Sequence, residues 1–339
     1  MANKRIGKQT VQLENPPSIL SAASIVGPKE GEGPLRMYFD MIIDDELWGE
    51  KSWEKAESKL MRETIDKLLS KSGISNQSVN YILAGDLLNQ ISASTFALRD
   101  TGISFLGVYG ACSTMTESMS LGSFLVDGKF ADNVICITSS HFCSAEKQFR
   151  YPLELGSQRP PTAQWTVTGS GGVLLSSQGS GPYITHVTTG KIVDMGIKDA
   201  NNMGAAMAPA AADTLVTHFK DTGIYPDSYD LILTGDLGTL GMEITNELMK
   251  QQGYDISDRY NDCGAMIYDV KRQDAHCGGS GCGCSATVFG GFVYQELLKG
   301  NLNNVLFIAT GALLSPSSSQ QGESIPGIAH AVAIHRNLS

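Results

Sequence analysis

Three sequence units occur twice in this chain in the same order, and this repetition restricts the fold more than any other feature. Residues 79–86 (VNYILAGD) return as residues 229–236 (YDLILTGD), and residues 128–138 (GKFADNVICIT) return as residues 300–310 (GNLNNVLFIAT). Each unit contains a short apolar run followed by small or polar residues, which is typical of a buried strand that ends in a turn. Because strand-like and helix-like stretches alternate along the chain, the sequence predicts an α/β protein built from two copies of a βαβ-rich module.

The boundary between the two copies is predicted in the turn-rich residues 178–182 (QGSGP), which follow an apolar strand-like run. We therefore expect an N-terminal half over residues 1–180 and a C-terminal half over residues 181–339. Residues 27–55 have no counterpart in the second copy. We expect them to form a loop or flap inserted into the first half.

The third repeated unit contains the cysteine that most directly suggests a function. Cys112-Ser113 lies between a strand-like run and a helix-like stretch, and Cys284-Ser285 lies at the equivalent place in the second copy. A thiol at the start of a helix lies at the positive end of the helix dipole, beside backbone N–H groups. If the two helices converge at an internal pseudo-two-fold axis, two sets of free N–H groups form an anion site there. The alternative is that Cys112 is a small apolar residue packed in the core.

Composition excludes several classes of protein. The formal net charge of −10 at pH 7 repels nucleic acid and anionic lipid, so we expect no nucleic-acid partner. No run approaches the ~20 apolar residues that span a bilayer, and the polar N-terminus lacks the apolar core of a signal peptide. Seven cysteines at uneven spacing indicate reduced thiols rather than a disulfide framework. We therefore expect synthesis in the cytoplasm.

These features together resemble the thiolase and β-ketoacyl-synthase superfamily, whose fold is a layered α-β-α-β-α arrangement with a nucleophilic cysteine at the start of a central helix. Within that superfamily the chain resembles the stage V sporulation protein AD family. The motifs that carry the closer resemblance are residues 84–90 (AGDLLNQ), 139–141 (SSH), 148–152 (QFRYP), 166–171 (TVTGSG), 203–213 (MGAAMAPAAAD), 278–285 (GGSGCGCS) and 311–316 (GALLSP).

The resemblance implies a sporulation protein that binds pyridine-2,6-dicarboxylic acid (dipicolinic acid), as the calcium chelate or without calcium. Such a protein supports uptake of this ligand into the developing spore, beside membrane-embedded SpoVA subunits. The resemblance also implies a homodimer that is peripheral at the spore inner membrane.

The same resemblance allows a second function, an acyltransferase or β-ketoacyl-synthase-type enzyme with Cys112 as nucleophile. Enzymes of that kind pair the cysteine with a histidine and with an asparagine or second histidine, which stabilise an oxyanion. Gly235-Asp236 stands at the place of the histidine, and residues 281–283 (GCG) stand at the place of the asparagine. We therefore expect no condensation chemistry. A third possibility is a docking scaffold whose pocket has no function.

We expect the dicarboxylate ligand to be bound by a small group of residues near the two helix starts. Arg150 is the candidate bidentate clamp for a carboxylate, and the alternative is a surface ion pair with Glu146 or Glu154. His141 and His330 are further candidates, although each also fits a buried structural histidine. The predicted ligand-binding residues are Cys112, Ser113, His141, Arg150, Cys284, Ser285 and His330.

The sequence predicts neither a metal site nor a cofactor. Residues 276–284 (HCGGSGCGC) are rich in cysteine, but the chain has no second cysteine pair at the spacing of a zinc site. Asp86 and Asp236 occupy equivalent strand ends in the two copies. They are candidates for calcium ligands if calcium accompanies the dicarboxylate, and the alternative is that they accept hydrogen bonds from the backbone amides of their own turns.

Overall fold

The computed structural model describes residues 4–149 and 159–338. The first half contains the strands β1 (Thr10–Gln12), β2 (Ser18–Val26), β3 (Met41–Ile42), β4 (Tyr81–Gly85), β5 (Ser104–Gly107), β6 (Asn133–Ser140), β7 (Trp165–Thr166) and β8 (Gly169–Ser176). Its helices are α1 (Pro28–Gly31), α2 (Trp53–Ser72), α3 (Ser92–Leu98), α4 (Thr114–Asp127) and α5 (Phe142–Phe149).

The second half repeats this alternation. Its strands are β9 (Tyr183–Thr188), β10 (Leu231–Thr234), β11 (Tyr260–Asp262), β12 (Gly279–Ser280), β13 (Asn304–Ala312) and β14 (Gly327–His335). Its helices are α6 (Met203–Thr222), α7 (Gly238–Gln251), α8 (Cys263–Ile267), α9 (Cys282–Val288), α10 (Tyr294–Lys299) and α11 (Pro316–Gln320). One π-helical turn, Phe289–Val293, joins α9 to α10.

The strand order confirms the duplication that the sequence predicted. From the centre outward, the first half runs β2-β8-β6-β4-β5 and the second half runs β9-β14-β13-β10-β11. Strand β6 is parallel to β4 in the first half, and β13 is parallel to β10 in the second half. On their other sides β6 and β13 pair with the antiparallel strands β8 and β14. Parallel strands require a crossover connection, and the helices between them supply it. The two halves meet where β2 pairs with β9 through Ser18 and Tyr183.

Equivalent helices of the two halves have equivalent ends. The side chain of Ser52 accepts a hydrogen bond from the amide of Lys55 at the start of α2, and Asn202 does the same at the start of α6. Both helices end at a glycine in the left-handed region, Gly73 and Gly223. Side-chain caps and left-handed glycines satisfy the backbone groups that a helix leaves unpaired at its ends.

The helices and sheets form the five layers expected for the thiolase-like fold. Helix α2 packs on the outer face of β2 and β8, while α9 packs on the opposite face of the same strands. Helix α6 covers β13 and β14, and α4 contacts strands of both halves from between them. The buried helices α4 and α9 are therefore central, and their starts are held at the carboxyl ends of the parallel strands. None of the described helices is both long enough and apolar enough to cross a membrane.

Candidate functional site

A cavity opens beside Cys112, where the carboxyl ends of the parallel strands from both halves meet. Loops after such strands form the ligand sites of many α/β folds. Its wall is formed by Leu87, Tyr109, Ala111, Cys112, Ala145, Glu146, Phe149, Thr166, Met203, Ser280, Ala312 and Leu314. The cavity has a volume of about 50 Å³, which holds about four waters at roughly 10–15 Å³ each. With the open solvent at its mouth included, the empty space is about 500 Å³.

Cys112 lies at the floor of this cavity and is only 6% exposed. The preceding residue, Ala111, has a φ of 50°, which is uncommon for a residue with a Cβ atom. The Cys112 thiol donates a hydrogen bond to the carboxylate of Asp236. Burial and the adjacent carboxylate raise the pKa of this thiol well above its ordinary value. At neutral pH Cys112 is therefore a protonated thiol.

Asp236 is completely buried and holds the two halves of the site together. Its Oδ1 accepts a hydrogen bond from the Thr310 hydroxyl at 2.8 Å. Its Oδ2 accepts from the Gly281 amide at 3.0 Å and from the Ser280 hydroxyl at 3.3 Å. Burial raises the pKa of this carboxyl to about 6. Asp236 thus fixes the start of α9 against β13 and presents an acceptor to Cys112.

The two helix starts converge as expected, and several of their amides already have partners within the protein. At the start of α4, the amides of Ser113 and Thr114 donate to the carbonyls of Gly110 and Ala111. At the start of α9, the Gly281 amide donates to Asp236, and the Gly283 amide donates to the Ser140 hydroxyl at 3.0 Å. Tight turns and an internal carboxylate therefore already satisfy these four amides.

Cys282, rather than Cys284, is the cysteine that packs beside Cys112. Cys112 and Cys282 share one apolar cluster with Leu87 and Ala145. Helix α4 begins two residues after Cys112, whereas α9 begins at Cys282 itself. Because each helical residue turns by about 100°, this shift of two residues directs Cys284 into the main core, towards Gly279.

The serines that follow the two repeated cysteines, Ser113 and Ser285, stabilise turns. The Ser113 hydroxyl donates to the Gly110 carbonyl at 2.7 Å, and the Ser285 hydroxyl donates to the Cys282 carbonyl at 3.3 Å. Neither serine, nor Cys284, is among the described residues that line the cavity. Of these predicted ligand-binding residues, the structure places only Cys112 in the cavity wall.

Neither candidate histidine is among the described residues that line the cavity. His141 is completely buried, and its Nε2 donates to the carbonyl of Glu46 at 2.8 Å. Its Nδ1 accepts from the Cys143 amide at 3.2 Å, so His141 anchors the segment 27–55 to the end of β6. On β14, His330 Nδ1 accepts from the Gly190 amide at 3.1 Å. Burial lowers the pKa of both histidines, which keeps them neutral.

Arg159 is a cationic group that the structure places next to the cavity wall. Arg150 lies outside the described residues, so its role as a carboxylate clamp stays a prediction. Arg159 contacts the cavity wall through Glu146, with 3.7 Å between its Nη1 and the Glu146 Oε1. The guanidinium also lies 4.8 Å from the ring centre of Trp165 and 5.6 Å from that of Phe142, and these two rings are stacked. Cation–π contact of this kind holds a guanidinium in a fixed orientation.

The equivalent aspartates at the two strand ends have different partners: Asp86 accepts from an amide of its own turn, as one of the two alternatives proposed, whereas Asp236 accepts from β12, the start of α9 and β13. Asp86 accepts from the Leu88 amide at 2.9 Å and from the amide and hydroxyl of Ser94 at 2.7 and 2.6 Å. Asp236 accepts the bonds given above. Among the described residues, no group of three or more histidine, cysteine, aspartate or glutamate side chains is arranged to hold a metal ion.

Comparison with known protein families identifies the family of this chain. A model of the family described as stage V sporulation protein AD (SpoVAD) matches residues 7–335. This chain belongs to the SpoVAD family. A SpoVAD relative, the stage V sporulation protein AD of Bacillus subtilis (strain 168), is 47% identical over 333 residues, which cover 98% of each chain.

Solved structures similar to this SpoVAD family member are condensing enzymes. A variant of Xanthomonas campestris OleA has a TM-score of 0.61 and 13% identity, and the match covers 96% of this chain and 99% of that one. The 3-oxoacyl-[acyl-carrier-protein] synthase III of Aquifex aeolicus has a TM-score of 0.59 and 11% identity, covering 94% and 99%. At these identities the likeness shows the thiolase-like fold.

Most of the cavity wall of this SpoVAD family member was not predicted from the sequence. Leu87, Tyr109 and Ala312 follow or end strands of the repeated units, so the repeat could have pointed to them. Thr166 and Met203 come from segments without a repeated motif around them, and only the folded chain brings them to Cys112. Arg159 could have been noted as a cation near the family motifs, but its position depends on stacking against Trp165.

Proposed function

We propose that this member of the SpoVAD family binds dipicolinic acid in the recess at Cys112 and supports its uptake into the developing spore. The observation that carries the proposal is a recess with apolar and aromatic walls and a guanidinium at one side. A flat aromatic dicarboxylate needs such walls for its ring and a cation for its carboxylates. Family membership supports the sporulation role.

In this proposal the ring and the carboxylates of the ligand contact different residues of the recess. The ring of the ligand lies against Tyr109 and Phe149, two aromatic residues of the cavity wall. The hydroxyls of Thr166 and Ser280 face the same space and can donate hydrogen bonds. One ligand carboxylate competes with Glu146 for the Arg159 guanidinium, which offers a bidentate surface. Calcium that enters with the ligand would remain on the ligand's own carboxylates.

The proposal also includes the membrane position of the protein and its partner subunits. We propose a peripheral position at the spore inner membrane, where the protein acts beside membrane-embedded SpoVA subunits. A peripheral position is consistent with the described helices, none of which could cross a membrane.

Titration calorimetry with dipicolinate tests the assignment of Arg159. We expect saturable binding by the unaltered protein, and Arg159→Gln should weaken it ~30-fold, because a charge-assisted hydrogen bond contributes about 2 kcal/mol. Arg99→Gln is the matched control, since Arg99 lies on the surface and pairs with Asp100. Equal affinity of the Arg159 and Arg99 variants would remove Arg159 from the site.

The same site argues against the alternative function, acyl transfer by Cys112. A protonated, buried thiol that donates to a carboxylate is a poor nucleophile. Moreover, the Asp236 carboxylate would repel an oxyanion that formed beside it. After incubation with acyl-coenzyme A, we expect mass spectrometry to find the unmodified protein mass. An acyl adduct that disappears in Cys112→Ala would instead support the enzyme.

A further inference from the structure

The wall behind the proposed ligand recess contains buried carboxyl groups whose partners are all neutral. Asp236 accepts hydrogen bonds from a thiol, two hydroxyls and an amide. It touches two residues of the recess wall directly, Cys112 and Ser280. A carboxylate in this position is therefore separated from the recess by a single layer of side chains.

A second pair of buried carboxyls lies behind the opposite wall. Glu57 on α2 accepts from the hydroxyls of Ser139 and Ser144, at 3.2 and 2.7 Å. Asp86 accepts only from the amides and hydroxyl of its own turn, immediately before the wall residue Leu87. Burial raises the pKa of both groups, and their mutual repulsion raises that of Glu57 further.

The groups around Asp236 contain little that could offset its charge. The titratable or polar groups that face it from the elements packed around it are Cys112 before α4, Asp262 at the end of β11, Cys263 on α8, Ser280 on β12, Cys282 and Cys284 on α9, and Thr310 on β13. None of these is a cation. Next to the recess, Arg159 forms an ion pair with the wall residue Glu146. Tyr109 stays protonated, because burial raises its pKa to about 12.

A dianion in the recess therefore meets a region that is already negative when Asp236 is ionised. Coulomb repulsion between like charges disfavours the ionised form of the buried group, so the bound ligand increases the affinity of Asp236 for a proton. In the free protein this carboxyl titrates at about 6, close to neutral pH. Repulsion that raises this pKa by a further ~2 units leaves the carboxyl largely protonated at neutral pH.

We infer that this site binds an aromatic dicarboxylate together with a proton, which Asp236 accepts behind the recess wall. The inference rests on the proposed function and specifies how that function depends on pH. Affinity for the free dianion rises as the pH falls, whereas a neutral molecule of the same shape binds without proton uptake. Ligand release is favoured by a rise in pH.

Calorimetry of the unaltered protein tests this without any substitution. Dipicolinate is titrated at about pH 7 in two buffers with different ionisation enthalpies, and the difference in heat gives the protons taken up. We expect about one proton per ligand, and an affinity that weakens up to tenfold per pH unit between about pH 7 and about pH 8. Pyridine-2,6-dicarboxamide, a neutral analogue, is the matched ligand and should show neither effect.

Two variants assign the proton to its residue. Asp236→Asn should abolish the proton uptake and the pH dependence, with folding checked by thermal unfolding. Glu30→Gln is the matched control, because Glu30 is also a buried carboxyl but contacts Tyr268 and Thr168 rather than the recess wall. Proton uptake that persists in Asp236→Asn overturns the assignment to that residue.

The outcomes separate this inference from the function on which it rests. Saturable dipicolinate binding with no proton uptake and a constant affinity overturns the inference and leaves the proposed function intact. Absence of dipicolinate binding at every pH overturns both.

Discussion

Buried carboxyl groups with neutral partners recur among the individual residues of this protein. Glu30 accepts hydrogen bonds from the Tyr268 hydroxyl and from the Thr168 amide, and its Oε2 has no hydrogen-bond partner among the described residues. Asp262 accepts from the Thr234 hydroxyl and from turn amides. Burial raises the pKa of each to about 7. Because the charged form of such a group is disfavoured in the interior, each makes folding depend on pH.

Glu30→Gln should stabilise the protein more at about pH 8 than at about pH 5. The pKa of Glu30 is raised from 4.5 to about 7 on folding. The folded state therefore binds the proton more tightly, and stability is lost as the pH rises from about 4.5 through about 7. Glutamine keeps an acceptor for Tyr268 and Thr168 without this loss. We expect a difference of roughly 2 kcal/mol between the two pH values in denaturant unfolding, and an equal effect at both would contradict the assignment.

Sequence reasoning located Cys112 but not the state of its thiol. A strand-to-helix junction predicts a helix start beside the cysteine, and this part is confirmed. Whether the thiol is ionised depends on burial and on the neighbour at the end of β10, 124 positions away in the chain (236 minus 112). Local sequence contains no information about that contact, so the protonation state of the thiol could not be predicted from it.

At the scale of elements, close contact between a strand and the central helix α9 depends on a glycine. A Cβ atom on Gly171 of β8 would lie 2.3 Å from the carbonyl carbon and oxygen of Ala286 in α9. Only glycine lets the two backbones approach this closely. The repeat predicted both the strand and the helix, but their distance from one another is a property of the packed layers.

Gly171→Ala should therefore destabilise the protein and displace the start of α9. Because the clash is with backbone atoms, no side-chain rotation can relieve it, and we expect a loss of about 3 kcal/mol in the free energy of unfolding. Thermal unfolding measures this effect, and dipicolinate binding should weaken in parallel. An unchanged melting temperature would show that α9 does not pack on β8 in this way.

The register of the repeated helices shows a second limit of sequence reasoning at this scale. The offset of the repeat equates Cys112 with Cys284, whereas the structure pairs Cys112 with Cys282. The two helices begin at different points of the repeated motif, and Gly281 supports the earlier start of α9 with a φ of 93°. A sequence offset therefore identified equivalent elements correctly but not the equivalent faces of their first turns.

At the scale of the whole molecule, one end of the sheet is a strand whose outer side pairs with no other described strand. Strand β5 lies at this end and pairs with β4 on its inner side. Around it Leu106 is 45% exposed and Tyr109 is 46% exposed. An open edge with exposed apolar side chains is a surface on which a second copy can continue the sheet. We propose that a homodimer forms here, next to the recess that Tyr109 lines.

Sedimentation velocity tests this association. We expect the unaltered protein to sediment as a dimer and Leu106→Lys to sediment as a monomer, because a lysine on the edge strand places two like charges at the interface. Phe130→Lys is the control. Phe130 is 73% exposed, but it follows α4 and is not part of the edge strand β5. A dimer that persists in Leu106→Lys would place the interface elsewhere.

The central claim for the whole molecule is that the recess at Cys112 binds dipicolinic acid. A crystal structure of the protein grown with dipicolinate tests it most directly. We expect the pyridine ring in the mouth of the recess, against Tyr109 and Phe149, with one carboxylate on the Arg159 guanidinium and Cys112 unmodified at the floor. Dipicolinate bound at another place while this recess holds only water would contradict the account.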